Sequence, residues 1–271
     1  MARRFIPPPR RGRHTCMQLP FPVAADPYPR GGREQALVRE RKFVAPAPMA
    51  AFARDVLRHH CLPDPAYPEG LIESIYFDTP QLTAYWEKAN GDNLKRKIRV
   101  RWYPASDPAA GLRRRSAGGG AIQAFFEIKD RVGAAREKLH RAFRLEADLL
   151  QYASLNDPAL LRAIRRQAQA MDVAMAELIV PTIAIRYHRD RLVCPVTETR
   201  VSLDTALVSD RCNPDLMPVT EPLHSAQIVC EAKSPVHQHW PWSETLFRLG
   251  FRSCSFSKYG EFINQRIQGG R

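Results

Sequence analysis

The stretch LKRKIRVRWYP, residues 94–104, carries five cations in its first eight positions. Read as a strand, it sends successive side chains to opposite faces. Lys95, Lys97, Arg99 and Arg101 then share one face with Tyr103. Leu94, Ile98, Val100 and Trp102 take the other, with Arg96 the exception. Like charges in a row on a pleated surface repel one another, so this face asks for an anionic occupant.

The same alternation recurs along the chain. Glu40 and Lys42 fall on one face of their segment, Glu127 and Lys129 on one face of theirs, and Glu231 and Lys233 on another. RVSLD aligns Arg200, Ser202 and Asp204, and RYHRD aligns Tyr187, Arg189 and Arg191. The opposite faces are largely apolar: Phe126 and Ile128, Val201 and Leu203, Ile228 and Cys230. Half-exposed sheets commonly carry a solvated polar face. A solvated face, however, has no need of so many cations in register. The pattern predicts a polar, cationic interior with an apolar outside covered by helices. Bound polyanion would relieve the interior charge, with Arg suited to bidentate phosphate contact and Lys acting as a point charge. Carboxylates among the cations suit a hard divalent ion bridging phosphate oxygens.

Eight strands are expected, at 34–44, 71–78, 95–103, 122–131, 138–146, 182–192, 199–207 and 226–234. Helices are expected over 49–60, with Met49, Phe52, Val56 and Leu57 on one stripe, over 155–178, with Asn156 or Asp157 as N-cap and Pro158 in the first turn, and near 243–249. Tyr76, Asp78 and Trp102 read as structural, a strand end and an apolar outer face. With few βαβ units, the class is α+β: an antiparallel eight-stranded β tunnel or barrel with helices packed outside.

Net charge is +13 over 271 residues. Residues 1–33 hold seven Arg and one acid and show no periodicity, so they read as a flexible Arg/Pro-rich arm ahead of a single domain over 34–271. The arm lacks the apolar stretch of an export signal. No apolar run approaches the ~18 residues of a membrane span, so a cytoplasmic location is expected. The six cysteines form no C-x-x-C pair and are expected as reduced thiols. His59-His60-Cys61 and His237/His239 lack the paired spacing of zinc ligands. Gly118–Gly120 is not followed by Lys-Ser/Thr, so no phosphate-binding P-loop is present, and 112–120 reads as a connection. Neither an RNA-binding aromatic pair nor a recognition helix is present, which argues against specific nucleic-acid binding.

The motifs ERKF, SIYFDTP, KRKIRVRWY, FFEIK, RVSLDT, CEAKSP and FSKYG occur here in the order found in VTC domains. The chain therefore resembles the polyphosphate-polymerase-type members of the triphosphate tunnel metalloenzyme superfamily over roughly residues 34–264. The resemblance implies an eight-stranded tunnel that transfers the γ-phosphate of ATP to a growing polyphosphate chain, assisted by Mn2+ or Mg2+. It implies that Lys42, Arg99, Arg101, Lys129, Arg189 and Lys258 grip phosphates, joined by Arg200, Lys97, Lys138 and Arg141. It implies Glu231 as the main metal ligand, with Glu40 and Glu127 as further carboxylates. The superfamily's opening E-x-E-x-K strand is Val38, Glu40 and Lys42 here, one acid short, which favours polymerase over hydrolase. Two other readings stand beside it: a triphosphate or short-chain polyphosphate hydrolase, and a non-catalytic polyphosphate-binding module. Expected partners are ATP and polyphosphate, and translocation of a product across a membrane would need a membrane partner protein.

Overall fold

The computed structural model describes residues 39–92, 94–104, 120–132, 135–176, 178–234, 236 and 239–269. These belong to one compact unit, Gln35–Arg271. The arm expected over 1–33 and the connection over 112–119 lie outside the described residues.

Eight long strands form: β1 (Arg39–Pro46), β3 (Glu69–Asp78), β4 (Leu94–Trp102), β5 (Ala121–Val132), β6 (Ala135–Glu146), β7 (Val180–Val193), β8 (Arg200–Cys212) and β10 (Gln227–Ser234). Three two-residue strands, β2 (Leu62–Pro63), β9 (Leu223–His224) and β11 (Arg252–Ser253), add to them. All lie in one antiparallel sheet of order β11-β1-β10-β8-β7-β3-β4-β5-β6, with β2 on β7 and β9 on β8. The tunnel expected from the sequence is not closed by hydrogen bonds: among the described residues β6 makes no ladder with β1 or β11. The sheet is nonetheless curled. Lys97 on β4 feels the charge of Lys42 on β1, and Lys129 on β5 that of Lys233 on β10. A flat sheet would hold β1 and β4 roughly 24 Å apart, at five strand spacings.

The convex face is apolar and carries most of the helices. Ile98, Val100 and Trp102 of β4, with Phe126 and Ile128 of β5, pack under α3 (Ala147–Gln151) and α4 (Pro158–Ala170). Leu160, Ile164 and Ala168 of α4 recur every four residues and are buried there. Asp157 caps α4 by accepting the Ala159 N–H at 2.7 Å, with Pro158 at its first turn. This helix is shorter than the 155–178 expected. Asp172 takes a left-handed backbone (φ 53°), and the Ala168 carbonyl accepts both the Met171 and Val173 N–H groups. The chain thereby turns back and buries Val173 in the same core. On the other flank, Phe43, Leu203 and Cys230 pack under α1 (Ala50–His60) and α5 (Pro241–Arg248). In α1 Leu57 is buried and Met49 and Val56 pack against the same core, as expected, whereas Phe52 is 56% exposed and Ala53 takes the inward place. Three helices, α2 (Thr83–Ala89), α3 and α6 (Lys258–Gly269), form beyond those expected.

α6 lies against the concave face. Its Tyr259, Phe262 and Ile263 join Val44, Ile72, Ile183, Ile185, Leu207 and Val229 in a third buried cluster. Ser257 starts the helix by accepting the Gly260 N–H at 3.2 Å. Part of the concave face is thus filled with apolar side chains, and the charged residues occupy the remainder. No helix among the described residues is long and apolar enough to cross a membrane.

Candidate functional site

The register stacks the inward side chains of β4, β5 and β6 in layers. Lys97 stands opposite Lys129, and Lys129 opposite Lys138. One layer along, Arg99 stands opposite Glu127, and Glu127 opposite His140. The next layer sets Arg101 against Phe125. On the other side of the groove, Glu40 faces Lys233 and Lys233 faces Arg200. Lys42 faces Glu231, which faces Ser202 and then Arg191. Arg189 faces Asp204. Alternation alone, written into these strands, brings the cations to one surface.

The acids in the groove are each claimed by neighbouring cations. Arg99 donates to Glu127 at 2.5 Å and to the Tyr76 hydroxyl at 3.2 Å. His140 lies 3.6 Å from the second Glu127 oxygen. Against the pull of burial, Arg99, Arg101, Lys138 and Lys129 hold the Glu127 carboxyl well below the usual carboxylate range. Arg189 grips both Asp204 oxygens through Nε and one terminal nitrogen, at 2.5 and 2.7 Å, and Lys258 reaches it from α6 at 2.5 Å. Those two charges overcome burial and hold Asp204 at about 2. Glu231 pairs with Lys233 at 2.6 Å and Glu40 with Lys42 at 3.0 Å. Burial opposes ionisation of Glu231, but Lys233, Lys42 and Arg189 keep it strongly acidic.

Other cations are left without such acids. Buried Arg101 donates to the Ser74 hydroxyl at 3.4 Å and to the Tyr187 hydroxyl at 3.1 Å. Lys97 donates to Ser257 at 3.1 Å. Enclosure, together with the charges of Lys42, Lys88 and Arg99, pushes its ammonium down to about 8. Lys129 makes no ion pair or hydrogen bond among the described residues. Water reaches it, yet enclosure by the groove walls and then the charges of Arg99, Lys233 and Lys138 push it down to about 6. Tyr76, despite burial, is drawn down to about 8 by Arg99, Arg101 and Lys258.

Lys42, Lys97, Arg99, Arg101, Lys129, Lys138, Arg189, Arg200 and Lys258 therefore line one groove. Arg141 does not. It stands opposite Phe126 and shares its face with Leu139 and Phe143, so it is on the convex side and exposed; the inward position beside it belongs to His140. Tyr76 departs from the structural role expected of it, because its hydroxyl sits within the groove. Trp102 lies in the outer core. Asp78 accepts the Ala84 and Tyr85 N–H groups at the start of α2 and the Tyr259 hydroxyl at 2.6 Å, which fastens α6 in place. Asp204, Lys233 and Tyr187 were visible in the alternation, though not singled out. Nothing in the local pattern marked His140.

The three carboxylates expected as metal ligands divide into two places. Glu40 and Glu231 sit on adjacent strands, close enough for the Glu231 charge to work against ionisation of Glu40. Glu127 is apart from them, on β5, held by Arg99 and His140, and it does not join a shared set. No group of three His, Cys, Asp or Glu side chains that could hold a metal occurs among the described residues. Two hard oxygen donors, with phosphate and water completing the shell, fit a small divalent cation, which seldom takes an all-protein cage.

Against known families, the model of the VTC domain matches residues 37–265. No curated protein matches the chain. Among solved structures, a candidate adenylate cyclase from Bacillus halodurans aligns at 11% identity and TM-score 0.45, covering 80% of this chain and 92% of its own. A second candidate adenylate cyclase, from Vibrio parahaemolyticus, aligns at 10% identity and TM-score 0.33, covering 78% of this chain and 82% of its own.

Proposed function

The chain belongs to the VTC domain family, and from that premise and the charge of the groove we propose that it is an ATP-dependent polyphosphate polymerase. Membership makes it an enzyme of polyphosphate or triphosphate chemistry that works with a divalent metal. The observation that carries the proposal is the row Lys97–Lys129–Lys138, three lysines abreast on adjacent strands. Like charges directly opposite each other destabilise a sheet. A chain of phosphates laid across the row would convert that repulsion into charge-assisted hydrogen bonds.

In this reading Arg99 and Arg101 hold the transferring phosphoryl group. Glu127 and the Ser74 and Tyr187 hydroxyls fix the two guanidiniums before substrate arrives. Asp204 does the same for Arg189 and Lys258. Phosphoryl transfer has a loose transition state with charge spread on its oxygens, and donors fixed in advance stabilise it without reorganising. The terminal phosphate of the acceptor is already anionic, so no general base is required of the protein. Glu40 and Glu231 would hold the metal, Mn2+ or Mg2+, which when bound neutralises charge on phosphate oxygens.

The test is incubation of the purified protein with ATP and Mn2+, scoring long-chain polyphosphate and free phosphate in parallel, beside Glu231→Gln and Arg99→Ala. Polymer from the wild type, and a loss of roughly a hundredfold or more in both variants, is the expected result. Free phosphate without polymer would replace the polymerase with a hydrolase. Binding of polyphosphate without turnover would leave a receptor.

A further inference from the structure

Cys61 and Cys194 are far apart in sequence and adjacent in the fold. β2 pairs with β7 as Leu62 opposite Val193 and Pro63 opposite Leu192. Cys61, with an extended backbone (φ −133°, ψ 143°), continues that register to stand opposite Cys194. Immediately after β2, the Asp64 N–H donates to the Arg191 carbonyl at 2.9 Å and the Arg191 N–H donates to the Pro68 carbonyl at 2.6 Å, so both polar groups of Arg191 face this edge and 64/191 is a hydrogen-bonding position. Counting back through the alternation of an antiparallel ladder makes 61/194 a non-hydrogen-bonded pair. Their backbones agree: the Cys61 N–H goes to Leu57 and the Cys194 N–H to Thr199. Such pairs have Cα atoms about 4.5 Å apart and side chains on the same side, within the span a disulfide bridges.

We propose that Cys61 and Cys194 are an oxidation site, at which a hydroperoxide closes a reversible disulfide that ties the end of α1 to the end of β7. Both are free thiols packed in one cluster. Cys194 is the attacking sulfur. The Thr197 hydroxyl, the Thr197 and Val196 backbone N–H groups and the Cys61 thiol act on it and favour its thiolate against the effect of burial. Burial and the neighbouring Cys194 push Cys61 up to about 12, so it stays protonated. Cys194 also lies beneath a surface turn in which Pro195, Val196 and Glu198 are exposed. That leaves a short path for a small oxidant. The thiolate attacks one peroxide oxygen, the O–O bond breaks, and hydroxide leaves with a proton as water, giving a sulfenic acid. The Cys61 sulfur then attacks the Cys194 sulfur, its proton leaves with the sulfenic oxygen as a second water, and the S–S bond forms. Overall two thiols are oxidised and one hydroperoxide is reduced.

The test is treatment of the full chain with hydrogen peroxide, non-reducing digestion at low pH and mass spectrometry. The expected product is a peptide pair joined through Cys61 and Cys194, two hydrogens lighter than the thiols and separated again by dithiothreitol. The exposed Cys254 serves as the internal control for oxidant delivery, and Cys254→Ser should leave the joined pair unchanged. Cys194→Ser should abolish it. Because that variant could unfold, the wild-type map decides. Recovery of Cys61 and Cys194 as free thiols while Cys254 is oxidised would overturn the proposal. So would a bridge from Cys61 to Cys230, the other thiol that shares its cluster.

Discussion

Lys129 is the most telling single side chain in the groove. Its ammonium sits near 6 because enclosure and the surrounding cations disfavour its charge, whereas in the unfolded chain it would titrate near 10.4. Between those values the unfolded state binds the extra proton, so this residue makes stability rise with pH through the window and costs stability at neutral pH. Lys129→Met should therefore raise the unfolding midpoint of the ligand-free protein at pH 7, read by thermal denaturation. A bound polyanion reverses the preference and charges the lysine. Binding should then take up a proton at pH 7.5, and affinity should weaken as pH rises from 6 toward 9. Titration calorimetry of tripolyphosphate in buffers of different ionisation enthalpy measures the uptake, and Lys129→Met should remove most of it. Equal uptake by both proteins would place the proton elsewhere. The same variant should bind roughly tenfold to a hundredfold more weakly, as expected for loss of a charge-assisted hydrogen bond.

At the scale of elements, alternation made most of the site legible and also set its limit. Lys97, Arg99 and Arg101 were readable as one face because β4 is regular, and the apolar partners Ile98, Val100 and Trp102 confirm the period in the outer core. Arg141 misled because basic residues follow one another in KLHRAFR, and only the pairing of Phe126 with Arg141 fixes which of them turn inward. Arg141→Ala should leave turnover within twofold of wild type, whereas Lys138→Ala should reduce it tenfold or more; equal losses would reverse the register assigned to β6. The helices were less legible. α4 stops early through a left-handed aspartate that no residue type demanded. α6 was missed because its apolar residues meet side chains from distant strands. Phe262, fully buried under that helix, should cost about 3–5 kcal/mol when changed to Ala, measured by denaturant unfolding.

At the scale of the molecule, the groove is an electrostatic imbalance built into a stable sheet. Its cations outnumber the acids Glu40, Glu127, Asp204 and Glu231, and the whole chain carries a net +13. Tripolyphosphate should raise the unfolding midpoint, by about 2.7 kcal/mol of stability at a hundredfold excess over its Kd. The gain should shrink as salt is raised from 0.05 to 0.5 M, because the exposed part of the attraction is screened. A midpoint indifferent to tripolyphosphate would leave the charge without an occupant. The curled sheet, finally, closes no ring of backbone hydrogen bonds among the described residues, because β6 and β1 share no ladder; such a sheet is a hook by its hydrogen bonding. A ring holds a threaded polymer by topology, and the polymer escapes only when an end slides through. A hook holds it by attraction alone. If the proposed function holds, a polymer kept by attraction alone would leave sideways as well as by its ends, and its residence time would follow ionic strength and not the distance to the nearest end.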